Sequence, residues 1–170
     1  MKTKILTLAL FISITVAYSQ NTQPAKASFT PAKVLYADDY LFATLEKVMK
    51  AAGIEVLNIQ PTYLEIYLGK ELKIKTFIDV DTEKNYLLLN GNAALVDGAN
   101  AAQAYQLVSE MNLGTNFIRA AYSPEKNKIY FTYYYWIKDG FTEKSFISAL
   151  EMYRLTYMYA FSFDKNNLLK

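Results

Sequence analysis

The sequence predicts an α+β fold: an antiparallel β-sheet, built as a meander plus a hairpin and packed by three helices, in the order α-βββ(β)-α-ββ-α. Three observations carry that expectation. Several short runs alternate apolar and polar residues with a period of two, and turn-forming residues separate them. Three longer segments repeat apolar residues at helical spacing. The chain has no cysteine, so neither disulfides nor thiolate–metal staples enter, and packing alone must hold the fold.

The first segment reads as an address. Lys2 and Lys4 precede an apolar run from Ile5 to Ala17, and Ala17-Tyr18-Ser19 places small residues where a signal peptidase reads. The run is shorter than the roughly 20 apolar residues a spanning helix needs. Residues 1–19 are therefore expected to be a signal peptide, cut between Ser19 and Gln20. The mature protein is then periplasmic or secreted, with no stable membrane insertion after cleavage. No cysteine follows the run, which excludes a lipid-anchored lipoprotein. Residues 20–37, with Pro24 and Pro31 and no period, read as a flexible tail, and 38–165 as one domain. A mature chain of about 150 residues suffices for one sizeable core.

Asp38-Asp39 suits a helix start, and Leu41, Leu45, Val48, Met49 and Ala52 recur at helical spacing until Gly53. Short strands follow. Ile54 to Gln60 stops at Pro61. Leu64, Ile66 and Leu68 alternate with Tyr63, Glu65 and Tyr67. Ile74, Thr76, Ile78 and Val80 alternate with Lys73, Lys75, Phe77 and Asp79, and Tyr86 to Leu89 completes the meander. Asn90-Gly91-Asn92 carries a hairpin signal, but Ala93 to Leu95 is read as a loop into the next helix. That helix runs from Asn100 to Asn112, with Ala101, Ala104, Leu107, Val108 and Met111 on one stripe. Phe117 to Tyr122 and Lys128 to Trp136 form a strand pair around Ser123-Pro124-Glu125-Lys126-Asn127. Thr142 is expected to cap the last helix, and Asn166 to Lys170 is read as a frayed tail.

Composition removes whole classes of function. Net charge is +2, from 18 basic and 16 acidic residues scattered along the chain, so no electrostatic case exists for nucleic acid. Without histidine or cysteine the usual general base, nucleophilic triads and ordinary zinc sites are missing. Asp79-Val-Asp81-Thr-Glu83-Lys-Asn85 has the look of a calcium loop. However, Lys84 stands where the loop needs glycine and Asn90 where the bidentate glutamate belongs, so a solvated hairpin turn is expected. No catalytic residue, metal site or cofactor is assigned.

Two local patterns are similar to a known family. Leu107-Val-Ser-Glu-Met-Asn112 followed by Phe117-Ile-Arg-Ala-Ala-Tyr122 resembles the helix end and following strand of the YbjN family, and Asp139-Gly-Phe-Thr-Glu143 resembles that family's entry to its C-terminal helix. Ser109 departs from the pattern at the first family asparagine, so only Asn112 carries over, as a structural cap of the helix end. The family comprises candidate sensory transduction regulators of bacteria with a type III secretion chaperone-like fold. The resemblance therefore implies that fold and the binding of another protein, often as a dimer, in sensory or stress regulation or a chaperone-like role. It implies no reaction.

The sharpest feature is Ile129-Tyr-Phe-Thr-Tyr-Tyr-Tyr-Trp-Ile137. Alternation puts Ile129, Phe131, Tyr133 and Tyr135 on one face and Tyr130, Thr132, Tyr134 and Trp136 on the other, and a strand with one wet face should not be aromatic on both. Either the second face is covered within the subunit, or it docks a protein, an extended peptide or a second copy. Tyr63, Tyr67, Tyr130, Tyr134 and Trp136 are the candidate partner-binding residues, and Asn112 and Thr142 the structural caps. The sequence thus reads as a non-catalytic binding domain, possible as a homodimer. The alternative is a small-molecule or lipid-binding module, and an enzyme resting on carboxylates and tyrosines is a distant third.

Overall fold

Six strands form one wholly antiparallel sheet in the computed structural model, which describes residues 42–81 and 83–170. The expected signal peptide, the tail and the Asp38-Asp39 helix start lie outside the described residues. In chain order the elements are α1 (Phe42–Ala51), β1 (Glu55–Ile59), β2 (Tyr63–Leu68), β3 (Ile74–Asp81), β4 (Tyr86–Ala94), α2 (Ala101–Gly114), β5 (Arg119–Ser123), β6 (Lys128–Trp136) and α3 (Glu143–Phe161). The sheet order is β1-β2-β3-β4-β6-β5, so the second hairpin joins the meander through β6.

Alternation decides which face is covered. Leu64, Ile66 and Leu68 of β2, Ile74 and Ile78 of β3, Leu87 and Leu89 of β4, and Ile129 and Phe131 of β6 are buried in one core. Leu45 and Met49 of α1, Leu107 and Met111 of α2, and Phe146, Leu150 and Tyr153 of α3 close over it. The helices start where their caps dictate. Asn100 and Gln103 form a reciprocal capping box on α2, and Thr142 and Ser145 form one on α3, so Thr142 is the expected N-cap.

Three expectations change. Asn90-Gly91-Asn92 lies inside β4, and pairing with β6 continues through Ala94↔Lys128. Gly91 is there because α3 crosses close above it: a Cβ would meet the Tyr153 hydroxyl at 2.8 Å and Tyr157 Cε2 at 3.0 Å. Gly91→Ala is therefore expected to cost about 1–3 kcal/mol in a denaturant titration; an unchanged midpoint would mean that α3 rides higher.

Asn112 does not cap α2. Thr115 is the C-cap, its N–H bonding to Met111 O. The Asn112 amide instead pairs with β5, donating to Ala120 O at 3.0 Å and accepting from Ala120 N at 2.8 Å. It thus supplies the outer edge of β5 with a one-residue strand partner. The C-terminal segment does not fray. Leu168 is buried, Leu169 bridges Leu95, and the Asp164 carboxylate accepts from both Leu168 N and Leu169 N at 2.8 Å.

Candidate functional site

The covered face of β6 is structural. Tyr133 stacks on Phe117 with centroids 3.9 Å apart, and Tyr135 packs on Phe141 while sharing a 2.8 Å hydrogen bond with Ser145 on α3. Burial raises both phenol pKa values above the ordinary tyrosine value. The other face of β6 stays open among the described residues, with Tyr134 54% and Trp136 59% exposed.

Register assembles that open face in rows across the sheet. Tyr86 of β4 lies opposite Asp81 and Trp136. In the next row, Tyr63, Asp79, Leu88 and Tyr134 run from β2 to β6. Glu65, Phe77, Asn90, Thr132 and Arg119 form the central row. Beyond it, Tyr67 opposes Lys75 on β3, and Asn92 opposes Tyr130 on β6. All five sequence-predicted partner residues therefore share one face of one sheet. Tyr134 and Trp136 lie towards one end with Tyr63, and Tyr67 and Tyr130 towards the other. Tyr63 and Tyr134 are not neighbours, because β3 and β4 separate their strands and place Asp79 and Leu88 between them. Tyr86 packs edge-on against Tyr134 at 5.0 Å, and Phe77 against Tyr63 at 5.8 Å. Alternation already placed Phe77 and Asp79 on this side, whereas Asn90 was hidden by its reading as a loop.

Charge is uneven on this face. At the Trp136 end, the Asp81 carboxylate accepts the Lys84 backbone N–H at 2.9 Å and pairs with Lys84 Nζ at 3.2 Å; the backbone bond leads in holding its pKa low. The calcium-like stretch is thus a turn closed on itself, and no cluster of three metal-ligating side chains occurs among the described residues. Asp79 has no ion-pair partner among the described residues, and burial among apolar neighbours raises its pKa. A raised carboxyl pKa opposes folding once the group ionises. Asp79→Asn is therefore expected to raise the urea midpoint at neutral pH. The gain should shrink to nothing as pH falls below the ordinary carboxyl value of 3.8. A gain independent of pH would contradict this account.

Cations hold the other end. Lys73 lies over the Tyr67 ring at 5.3 Å and bonds Glu55 at 2.6 Å, Lys75 bonds Glu65, and Lys126 lies over Tyr130 at 5.7 Å. Hydrogen bonds to Glu55 and Glu65 raise the pKa of Lys73 and Lys75 respectively. A separate groove of about 470 Å³ opens where β3 leaves β4, with Leu72, Ile74, Tyr157 and Phe161 on its walls and Lys73, Lys75 and Lys170 at its rim.

No family model matches the chain, and no curated protein matches it. Among solved structures, the crystal structure of YbjN from E. coli, described as a candidate transcription regulator, superposes with a TM-score of 0.66. It is 14% identical and covers 81% of this chain and 99% of that one. The fold is therefore YbjN-like, as the resemblance implied, and its α+β element order matches the expectation.

Proposed function

We propose that this protein is a non-catalytic binding module that holds a protein or extended peptide against the open face of its sheet, outside the cytoplasm. The supporting observation is the patch of large aromatic side chains in which Tyr134 and Trp136 are exposed and Tyr86 is half-buried beside them, on a sheet whose opposite face closes a core. Aromatic residues of this kind give much contact area for little lost side-chain freedom, and they dominate binding energy when covered. The fold neighbour is described as a candidate transcription regulator, and the role in sensory or stress regulation, or as a chaperone, is part of this proposal. Export rests on the N-terminal sequence alone, and the native N-terminus, read by sequencing, tests it: Gln20 as first residue is the expected result.

The test of the surface is the double variant Tyr134→Ser, Trp136→Ser. Both residues are exposed, so unfolding stability is expected to stay within about 0.5 kcal/mol. Partners captured by the tagged protein and identified by mass spectrometry should be lost, with affinity falling at least about tenfold. Retention of the same partners at the same affinity would sink the proposal. A second reading, a small-molecule or lipid-binding module, draws on the groove beside β3, whose apolar walls and basic rim suit an anionic amphiphile. A bound ligand in the native mass spectrum would favour it.

A further inference from the structure

We infer that the open sheet face recognises a basic, extended segment of its partner, with an arginine or lysine side chain in the groove beside Asp79 and an apolar side chain, three residues away, on Tyr134 and Trp136. This rests on the proposed reading of that face as a binding surface and names the chemistry of its partner. Charge complementarity is the first argument. A groove of about 440 Å³ opens on this face where β2 begins and β3 ends, lined by Thr62, Asp79, Asp81, Glu83, Tyr86 and Leu88 and by no cationic side chain. Asp81 is taken by the backbone and ammonium of Lys84. Asp79 and Glu83 enter none of the ion pairs among the described residues, so two carboxylates line the groove without a counter-ion. Asp79 is the more telling, because it is half-buried in its row between Tyr63 and Leu88, where desolvation raises its pKa. The fold keeps a carboxylate that costs it stability, and a ligand that supplies the missing charge accounts for it. Lys126 and Lys128 lie towards the far end of the face, neither of them in an ion pair, so a cation is directed to the Trp136 end.

The second argument is what surrounds the groove. Tyr86 forms part of its wall, and Lys84 Nζ already lies over that ring at 6.0 Å. A guanidinium or ammonium in the groove therefore has both carboxylate and aromatic ring within its walls, and both attract it. Tyr134 shares a row with Asp79, two strands away across β4, and Trp136 lies one row on. Neighbouring strands are about 4.8 Å apart, so Asp79 and Tyr134 are separated by roughly 10 Å. A polyproline II segment rises about 3.1 Å per residue and repeats its side-chain direction every three, so residues i and i+3 point the same way about 9 Å apart. Laid along this row, such a segment sets a basic residue over Asp79 and an apolar one over Tyr134. A lone small cation fills the groove and leaves the exposed rings of Tyr134 and Trp136 bare, whereas the segment covers groove and rings together.

Trp136 is the chain's only tryptophan, so its fluorescence reports on this surface directly. The probe is a short, capped, proline-rich peptide without aromatic residues, carrying an arginine and a leucine three positions apart. Added to the purified protein, it is expected to shift the Trp136 emission with saturation below about 1 mM. The same peptide with glutamate for arginine should leave the emission unchanged. Asp79→Asn should raise the dissociation constant of the arginine peptide at least about tenfold. That variant is expected to be more stable than the original at neutral pH, so its lost binding is not lost folding. Glu110→Gln, on α2, should keep the affinity within about twofold. An emission unchanged up to about 1 mM overturns the inference. So does equal affinity for the glutamate peptide, for a peptide with the arginine and leucine adjacent, or of Asp79→Asn for the arginine peptide. If the peptides fail while Tyr134→Ser, Trp136→Ser still releases a captured partner, only the basic segment falls and the surface reading stands. If that double variant also keeps its partners, both fall.

Discussion

Phe131→Ala is expected to destabilise the protein by about 3–5 kcal/mol. Phe131 is fully buried in β6, with its ring 4.6 Å from Tyr157 and 5.9 Å from Phe161. The row in which it sits explains a value at the upper end. Gly91 on β4 and Ala120 on β5 flank it, so the ring fills space that neither neighbour can reach. Alanine there would line up three small residues beneath α3. The helix cannot settle into the gap, because the Tyr153 hydroxyl is fixed at 2.8 Å on the carbonyl of residue 131 itself. Domains of this size are stable by only about 5–15 kcal/mol, so the loss is a large share of the total. Tyr134→Ala, three positions along the same strand but on the open face, should cost less than about 1 kcal/mol. Urea unfolding followed by far-ultraviolet circular dichroism compares them directly. Equal costs would mean that both faces of β6 are covered in the isolated subunit.

That contrast also marks how far local sequence pattern reaches. The covered faces of β2 and β3 are legible because Leu64-x-Ile66-x-Leu68 and Ile74-x-Thr76-x-Ile78 follow the pleat, and those side chains are buried where the pattern places them. The Thr142 cap is legible because capping chemistry is local. Pattern fails where a distant segment overrides a local signal. Asn90-Gly91-Asn92 is turn chemistry by itself. It runs straight because β6 pairs along it and two tyrosines of α3, more than sixty residues later, need the space over Gly91. Asn112 has the chemistry of a helix terminator, and only the return of β5 beside α2 gives its amide a backbone to pair with. Asn166 to Lys170 read as a frayed tail, yet Asp164 and the free edge at the end of β4 hold them. For the candidate site, alternation places the five aromatic residues on the correct sides of their strands. It cannot bring them onto one surface, because the β4–β6 pairing that does so is long-range and depends on β4 passing through the segment read as a loop.

Alkali is expected to unfold this protein through α3. Tyr153 and Tyr157 are both buried there, and their hydroxyls donate into the sheet, to Phe131 O at 2.8 Å and to Asn92 O at 3.1 Å. Ionisation would remove each donor and leave a phenolate facing a carbonyl oxygen in an apolar setting. Desolvation accordingly pushes the Tyr157 pKa up to about 12 from an ordinary 10.0, and that of Tyr153 well above the ordinary value. A pKa raised on folding means that the folded state prefers the protonated phenol. The associated stability is complete below pH 10 and drains away as pH climbs through the folded value near 12. The two-unit shift of Tyr157 corresponds to roughly 2–3 kcal/mol by the upper end of that window, and Tyr153 adds to it. Denaturant midpoints measured at successive pH values should therefore fall steeply above pH 10. Tyr157→Phe should lower stability at neutral pH by about 0.5–1.5 kcal/mol, because Asn92 O loses its donor, and yet flatten the alkaline decline. That crossing of the two curves is the diagnostic result. Parallel curves would show that Tyr157 does not titrate out of the core.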